Sequence, residues 1–259
     1  QHDDDAEHDT EARRAAQRLA VPAGADARPR QRPDAARRVR ESLPPPDTGL
    51  PLVHADEHLL VLNKPSGLLS VPGRGERMQD CLIHRVQARY PEALIVHRLD
   101  MDTSGLIVMA RGPEMQRALS LLFASRQVDK CYVAVLAGQV AQDEGEVNLP
   151  LITDWPRRPR QKVCHDSGKP SLTRYRVTGR DALRNTTRVE LEPVTGRTHQ
   201  LRVHMMAMGH PILGDPLYGD PERAGDGTAR LLLHAHSLTM PHPVSECPMA
   251  WQVAAEFEG

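Results

Sequence analysis

Apolar residues recur along this chain in two rhythms, and the switches between them mark out its elements. From Val128 to Gly138, "VDKCYVAVLAG", the pattern alternates: Lys130, Tyr132, Ala134 and Leu136 fall on one face, Cys131, Val133, Val135 and Ala137 on the other. A period of two predicts a strand that presents Tyr132 beside Lys130. Just before it, Pro113 to Gln127 carries Met115, Leu119, Leu122 and Phe123 at helical spacing, with Pro113 suited to a first turn. Further on, "TRYRV" and "TRVELEP" predict two antiparallel strands around a polar loop, Thr178 to Asn185. "GRTHQLRVHMMAMGHP" then returns to helical spacing. Thr198 is its expected N-cap, Leu201, His204, Met205 and Met208 form one face with Arg197 and Arg202 flanking it, and Gly209 is the stop. Together these elements predict a mixed α+β fold with an extensive sheet and few helices.

The first fifty residues have neither rhythm. Gln1 to Pro51 is rich in Asp, Glu, Arg, Ala and Pro, runs through "RPRQRP" and "LPPPDTGLP", and contains no aromatic residue. Such a stretch cannot bury enough apolar surface to offset its ordering entropy, so a disordered tail is expected, with at most a short helix near Thr10 to Leu19. The folded domain is expected to start at Leu52, where "LVHADEHLLVLNKPSGLLSVPG" gives short apolar runs broken by Lys64-Pro65, Ser66-Gly67 and Pro72-Gly73.

Composition narrows the functional classes. A chain of 259 residues with 39% hydrophobic content can bury a full core in one large domain or two small ones. Its longest apolar runs, such as Leu106 to Ala110, fall far short of the roughly 18 residues of a membrane span, so no membrane association is expected. The four cysteines form no CxxC pair, which points to a reducing, cytoplasmic setting without a disulfide framework. A formal net charge of -1 excludes a globally basic nucleic-acid binder, so affinity for RNA would need a local patch. "WPRRPRQK" offers one, with Arg157, Arg158, Arg160 and Lys162 in a Pro-broken run that is not expected to be helical. His97, His199, His204 and His210 lack HExxH spacing and accompanying carboxylates, which favours structural histidines over metal ligands.

The most heavily charged approach to an apolar run is "VHRLDMDTSGLIVMA", Val96 to Ala110, where Arg98, Asp100 and Asp102 stand just ahead of what reads as a buried strand. This block, "KCYVAVLAG" and "GRTHQLRVHMMAMGHPILGDPLYG" resemble, in order, the three signature blocks of the RluA-type pseudouridine synthases. "LNKPSGLLSVPGR" and "PLITDWPRRPRQKV" make the chain most similar to the short type without an S4 RNA-binding domain, over about Leu52 to the C-terminus. The resemblance implies the family's catalytic domain over 52–259, with an extensive mixed, mainly antiparallel sheet flanked by helices and loops.

What the resemblance implies for the site follows position by position. Asp100, of "RLD", matches the essential carboxylate, whereas Asp102 lies outside the pattern and is expected to be solvated. Arg202, of "QLRVH", matches the arginine that pairs with that carboxylate, and Tyr132, of "KCY", the active-site tyrosine placed against the target base and suited to proton transfer. Arg98 matches the arginine that fills the stack after a nucleotide is flipped out, and with His97 and the Arg157, Arg158, Arg160 and Lys162 loop it is expected on the RNA side. The implied reaction isomerises loop uridines in a 23S rRNA hairpin, a tRNA anticodon stem-loop or both, in a cytoplasmic monomer that needs no metal or organic cofactor. Asp100 would serve as nucleophile or base, and base flipping would expose atoms hidden in a stacked helix. Two alternatives are an RNA-binding or RNA-folding protein without catalysis, and a hydrolase using Ser104 or Ser120, although no GxSxG elbow is present.

Overall fold

The structure, a computed structural model, describes residues 43–219 and 228–257. Its strands are β1 (Leu52–Ala55), β2 (Leu59–Lys64), β3 (Ala93–Ile95), β4 (Ser104–Arg111), β5 (Asp129–Ala137), β6 (Glu144–Asn148), β7 (Leu151–Thr153), β8 (Gln161–Val163), β9 (Leu172–Asp181), β10 (Thr186–Pro193), β11 (Leu233–Pro241) and β12 (Pro248–Gln252). The α-helices among the described residues are α1 (Leu82–Gln87), α2 (Pro113–Ala124) and α3 (Gln200–Ala207).

One sheet runs in the order β1-β2-β4-β11-β5-β10-β9-β6, with β12 added to β11 and β3 to β4. Its pairings are antiparallel apart from β4 with β11, which matches the expected mixed, mainly antiparallel architecture. Gly105 makes that parallel join possible: at φ +111°, a Cβ there would meet the Ala235 carbonyl oxygen at 2.3 Å. A separate hairpin, β7-β8, carries the basic loop.

The apolar runs of β2 and β4 are continuous because both faces are covered. Leu60, Leu62, Ile107 and Met109 join the α1 residues Leu82, Ile83 and Val86 on one side. Leu59, Val61, Leu106 and Val108 meet Leu119 of α2 on the other. A second core, under α3, gathers Ala134, Leu136, Val189, Leu191, Leu201 and Met205. An eight-residue helix is marginal alone, so burial of Leu201 and Met205, worth about 1.5–3 kcal/mol each, fixes where α3 and its Arg202 sit. Tyr132 packs against both cores and therefore marks the seam between them.

Two expectations shift. The polar loop between the "TRYRV" and "TRVELEP" strands is shorter than Thr178 to Asn185, because β9 continues to Asp181 and the turn begins after it. Thr198 is exposed and His199, in the left-handed region, stands at the N-cap of α3; Gly209 does follow its end at positive φ. The expected tail up to residue 42, with its helix near Thr10 to Leu19, lies outside the described residues. Its last part touches the domain: the Arg85 guanidinium donates to the Pro45 carbonyl at 2.7 Å, Leu50 packs on the α1 core, and Asn63 N donates to Pro51 O. Among the described residues ahead of β1, Pro45, Leu50 and Pro51 thus contact the domain.

Candidate active site

The charged approach to β4 is a rigid platform. The Leu99 to Thr103 backbone is tied to the end of β2 and the segment after it: Met101 O accepts Gly67 N and Lys64 Nζ, both at 2.9 Å, Ser66 Oγ donates to Asp102 O at 2.7 Å, and Ser70 Oγ to Leu99 O at 2.7 Å. Lys64 is fully buried and also donates to the carbonyls of Pro65 and Leu68. Burial brings its pKa down to about 7 against the pull of Asp102 and Asp100. The "LNKPSGLLSVPG" block carried this scaffold in sequence. A lysine ending an apolar strand was its only separate sign, and no role was expected for it.

Asp100 stands on this platform and meets α3. The Arg202 Nη1 donates to Asp100 Oδ2 at 3.1 Å, joining residues 102 apart in sequence. Burial alone would raise the Asp100 carboxyl, but the His199 ring, in its protonated form, and the Arg202 guanidinium beside it hold it below the ordinary carboxylate range. Arg202, expected on the flank of its helix, is almost completely buried and belongs to a second pair: its Nε and Nη2 donate to Asp215 at 2.7 and 2.8 Å. The buried Asp215 carboxylate in turn accepts the Leu217 and Tyr218 amides at 2.9 and 3.0 Å. Asp215 was missed in sequence. Its signal was an Asx-type turn in "GDPLYG", where an aspartate can bind the amides two and three residues on.

Tyr132 lies between Leu191 of β10 and Ala235 of β11, half-buried, and its hydroxyl makes no hydrogen bond among the described residues. Burial, with the Asp100 charge adding to it, raises its pKa well above the usual phenol. Asp102 departs from expectation: it is half-buried, and desolvation raises its carboxyl despite the nearby Arg202 and Lys64 charges. His199 Nε2 lies 3.8 Å from Asp100 Oδ1, and its Nδ1 is 2.7 Å from the Tyr218 hydroxyl. His199, expected as a structural histidine, thus has its ring bonded to Tyr218 and stands beside Asp100. His204 and His210 are structural, bonded to Thr173 and Leu149 O, and to Ala137 O, respectively.

Asp100, Asp102, Tyr132, His199 and Arg202 share a cleft of about 1880 Å³. That exceeds the roughly 300–1,000 Å³ of a small-molecule pocket and suits a polymer. Arg98 lines it, is exposed, and pairs with no carboxylate among the described residues. His97 also lines it, but its Nε2 accepts Val108 N at 2.9 Å, its ring stacks on Phe123, and burial lowers its pKa to about 3. One ring nitrogen is thus bonded within the protein while the half-buried side chain still borders the cleft.

The basic loop also divides. Arg158 lines the cleft, stacked on the exposed Trp155 ring at 4.5 Å. Arg157 is bound to Asp154 at 2.7 Å, Arg160 lies over the Tyr218 ring, and Lys162 sits on β8. Trp155 to Arg157 forms a single 3-10 turn, a small departure from the irregular run expected. Ser104, the candidate nucleophile of the hydrolase alternative, does bond to His234 Nδ1 at 2.8 Å, but both residues are buried where β4 joins β11. This Ser–His pair is a cross-strand tie.

The sequence model of the RNA pseudouridylate synthase family matches residues 58–207. The dual-specificity RNA pseudouridine synthase RluA of Escherichia coli K12 is 51% identical over 214 residues, which cover 83% of this chain and 97% of that protein. Its namesake from Yersinia pestis is 52% identical over 80% of this chain and 99% of its own. Among solved structures, human RNA pseudouridylate synthase domain containing 1 superposes with a TM-score of 0.71 at 29% identity, over 83% of this chain and 86% of that one. The family match spans the platform, Tyr132 and α3, and the chain belongs to the RNA pseudouridylate synthase family.

Proposed function

We propose that the protein turns loop uridines of folded RNA into pseudouridine with Asp100, Tyr132 and Arg202 as its working set. The observation that carries this assignment is the Arg202 to Asp100 contact at 3.1 Å, made inside the large cleft and beside Tyr132. An arginine placed there keeps the carboxylate ionised and fixes its direction by a charge-assisted hydrogen bond. The isomerisation breaks N1–C1′, turns the base, and joins C5 to C1′; C5 loses a proton, N1 gains one, and nothing is oxidised or hydrolysed. Asp100 acts as nucleophile or base in that sequence, and the Tyr132 hydroxyl handles the proton. With its pKa raised by burial, Tyr132 is kept as a neutral phenol.

A target base reaches Asp100 only when flipped out of its stack, and Arg98, exposed at the cleft, fills the gap it leaves. Arg158 meets phosphates at the rim. The dual-specificity name of the relatives supports more than one RNA target; the targets proposed are a 23S rRNA hairpin and a tRNA anticodon stem-loop, modified in the cytoplasm by a monomer. The experiment is to offer isolated hairpins, intact tRNA and naked 23S rRNA to the purified protein and map new pseudouridines. Modification of short hairpins is expected; a strict requirement for assembled ribosomal subunits would overturn recognition by this chain unaided.

A further inference from the structure

We propose that His199 is a positioning residue for Asp100 and that Tyr218 locks His199 in the tautomer this requires. A single path then joins the cleft-rim loop to the carboxylate. The proposal rests on the assignment of Asp100 as the catalytic carboxylate.

The path begins in the rim hairpin, where the Gln161 amide donates to the Tyr218 hydroxyl oxygen at 2.7 Å. That oxygen is also 2.7 Å from His199 Nδ1. An oxygen already accepting from Gln161 has its own proton to give, and burial raises the Tyr218 pKa to about 12, so the proton is retained. Donation to Nδ1 leaves the imidazole proton on Nε2, which faces Asp100 Oδ1 at 3.8 Å. The opposite tautomer would leave the tyrosine proton without its acceptor and aim a lone pair at an anion. Desolvation also lowers the His199 pKa, against the pull of Asp100, which favours the neutral ring.

The backbone supplies an independent sign. His199 is a non-glycine residue at φ 54°, ψ 18°, a left-handed conformation that is unfavourable for a side chain with a Cβ. Its surroundings hold it there. The next residue, Gln200, is buried and bonded to Leu172 O, Thr173 Oγ1, Thr195 Oγ1 and the Arg197 amide. A simple helix cap would use Ser, Thr, Asp or Asn, and Thr198 next door is left exposed instead.

The division of labour follows from geometry. Arg202 holds Oδ2 by a direct hydrogen bond, and Oδ1 is left beyond hydrogen-bond length of His199, open to reacting atoms. A neutral N–H at that distance steers Oδ1 without quenching its charge, as a second cation would.

The test pairs long-range 15N–1H NMR of the histidine rings with single-turnover kinetics on an anticodon stem-loop. In the wild type, His199 is expected as the Nε2–H tautomer; in Tyr218→Phe it should become a tautomer mixture. His199→Ala should slow single turnover roughly ten- to hundredfold, as a displaced reacting group does, while leaving RNA Kd within about threefold. His199→Gln, whose amide can return an N–H near the Nε2 position, should recover most of the rate. An Nδ1–H tautomer in the wild type, or an unslowed His199→Ala beside an inactive Asp100→Asn, would overturn the proposal while leaving the Asp100 assignment intact. A fast Asp100→Asn would instead remove that assignment, and this proposal with it.

Discussion

Asp215 grips Arg202 with both carboxylate oxygens, at 2.7 and 2.8 Å, and so leaves the remaining nitrogen, Nη1, for Asp100. The Asp215 side chain is 0% exposed and that of Arg202 3%, so neither can trade its partner for water. Removing one member of a buried pair typically costs about 3–5 kcal/mol. Asp215→Ala is therefore expected to lower Tm by at least roughly 6 °C for a domain of this size and to slow pseudouridine formation as Arg202 loses its aim. Thermal unfolding and single-turnover assays on the same preparation check both. An unchanged Tm with full activity would show that Arg202 is held by its helix alone.

Within the rim loop the arginines should separate. Arg158→Ala removes a cleft-lining charge stacked on Trp155, and is expected to weaken hairpin binding alike for all sequences and to reduce the salt slope by about one. Arg157→Ala, whose charge is already bound to Asp154, should do much less. Equal effects of the two on Kd against salt would contradict this division. Arg98→Ala should lower product formation more than initial binding, because its role begins once the base has flipped.

Much of this was legible in sequence. The strand carrying Tyr132, the helix after Pro113, and the facing of Asp100 and Arg202 follow from local periodicity and from blocks that resemble a family. What stayed hidden depends on contacts distant in sequence. Lys64 reads as one charge after an apolar strand until its ammonium is seen meeting the Pro65, Leu68 and Met101 carbonyls. His199 reads as one of four scattered histidines until α3 and Tyr218 place it beside Asp100. Asp102 looks solvated in a polar turn, yet the platform around it withdraws it from water.

The N-terminal segment should be dispensable. The family match begins at residue 58 and the first contacts of the described chain at Pro45, so a variant lacking residues 1–42 is expected to melt cooperatively and retain turnover on hairpins. Loss of the cooperative transition on deletion would place part of that segment in the folded domain.

Acid stability should report on the β1–β2 turn. Burial would raise the Asp56 carboxyl, but hydrogen bonds from His54 and from the His58 and Leu59 amides bring it from 3.8 down to about 2. Between those values the unfolded chain holds a proton that the folded chain does not. The stability Asp56 contributes is therefore complete above pH 3.8 and lost as pH falls through about 2. Urea midpoints of wild type and Asp56→Asn should converge as the pH is lowered across that window. A constant gap would mean the carboxylate is not held as its geometry implies.

The central assignment is that Asp100 performs the chemistry. Asn is nearly isosteric with Asp and can still accept from Arg202 through its amide oxygen, so Asp100→Asn should keep its melting transition and its RNA affinity within about threefold. Single-turnover conversion of a uridine in an anticodon stem-loop, with enzyme in excess and product read as pseudouridine, is the measurement. No product over many wild-type half-lives is the expected result, and conversion by Asp100→Asn at near the wild-type rate would contradict it.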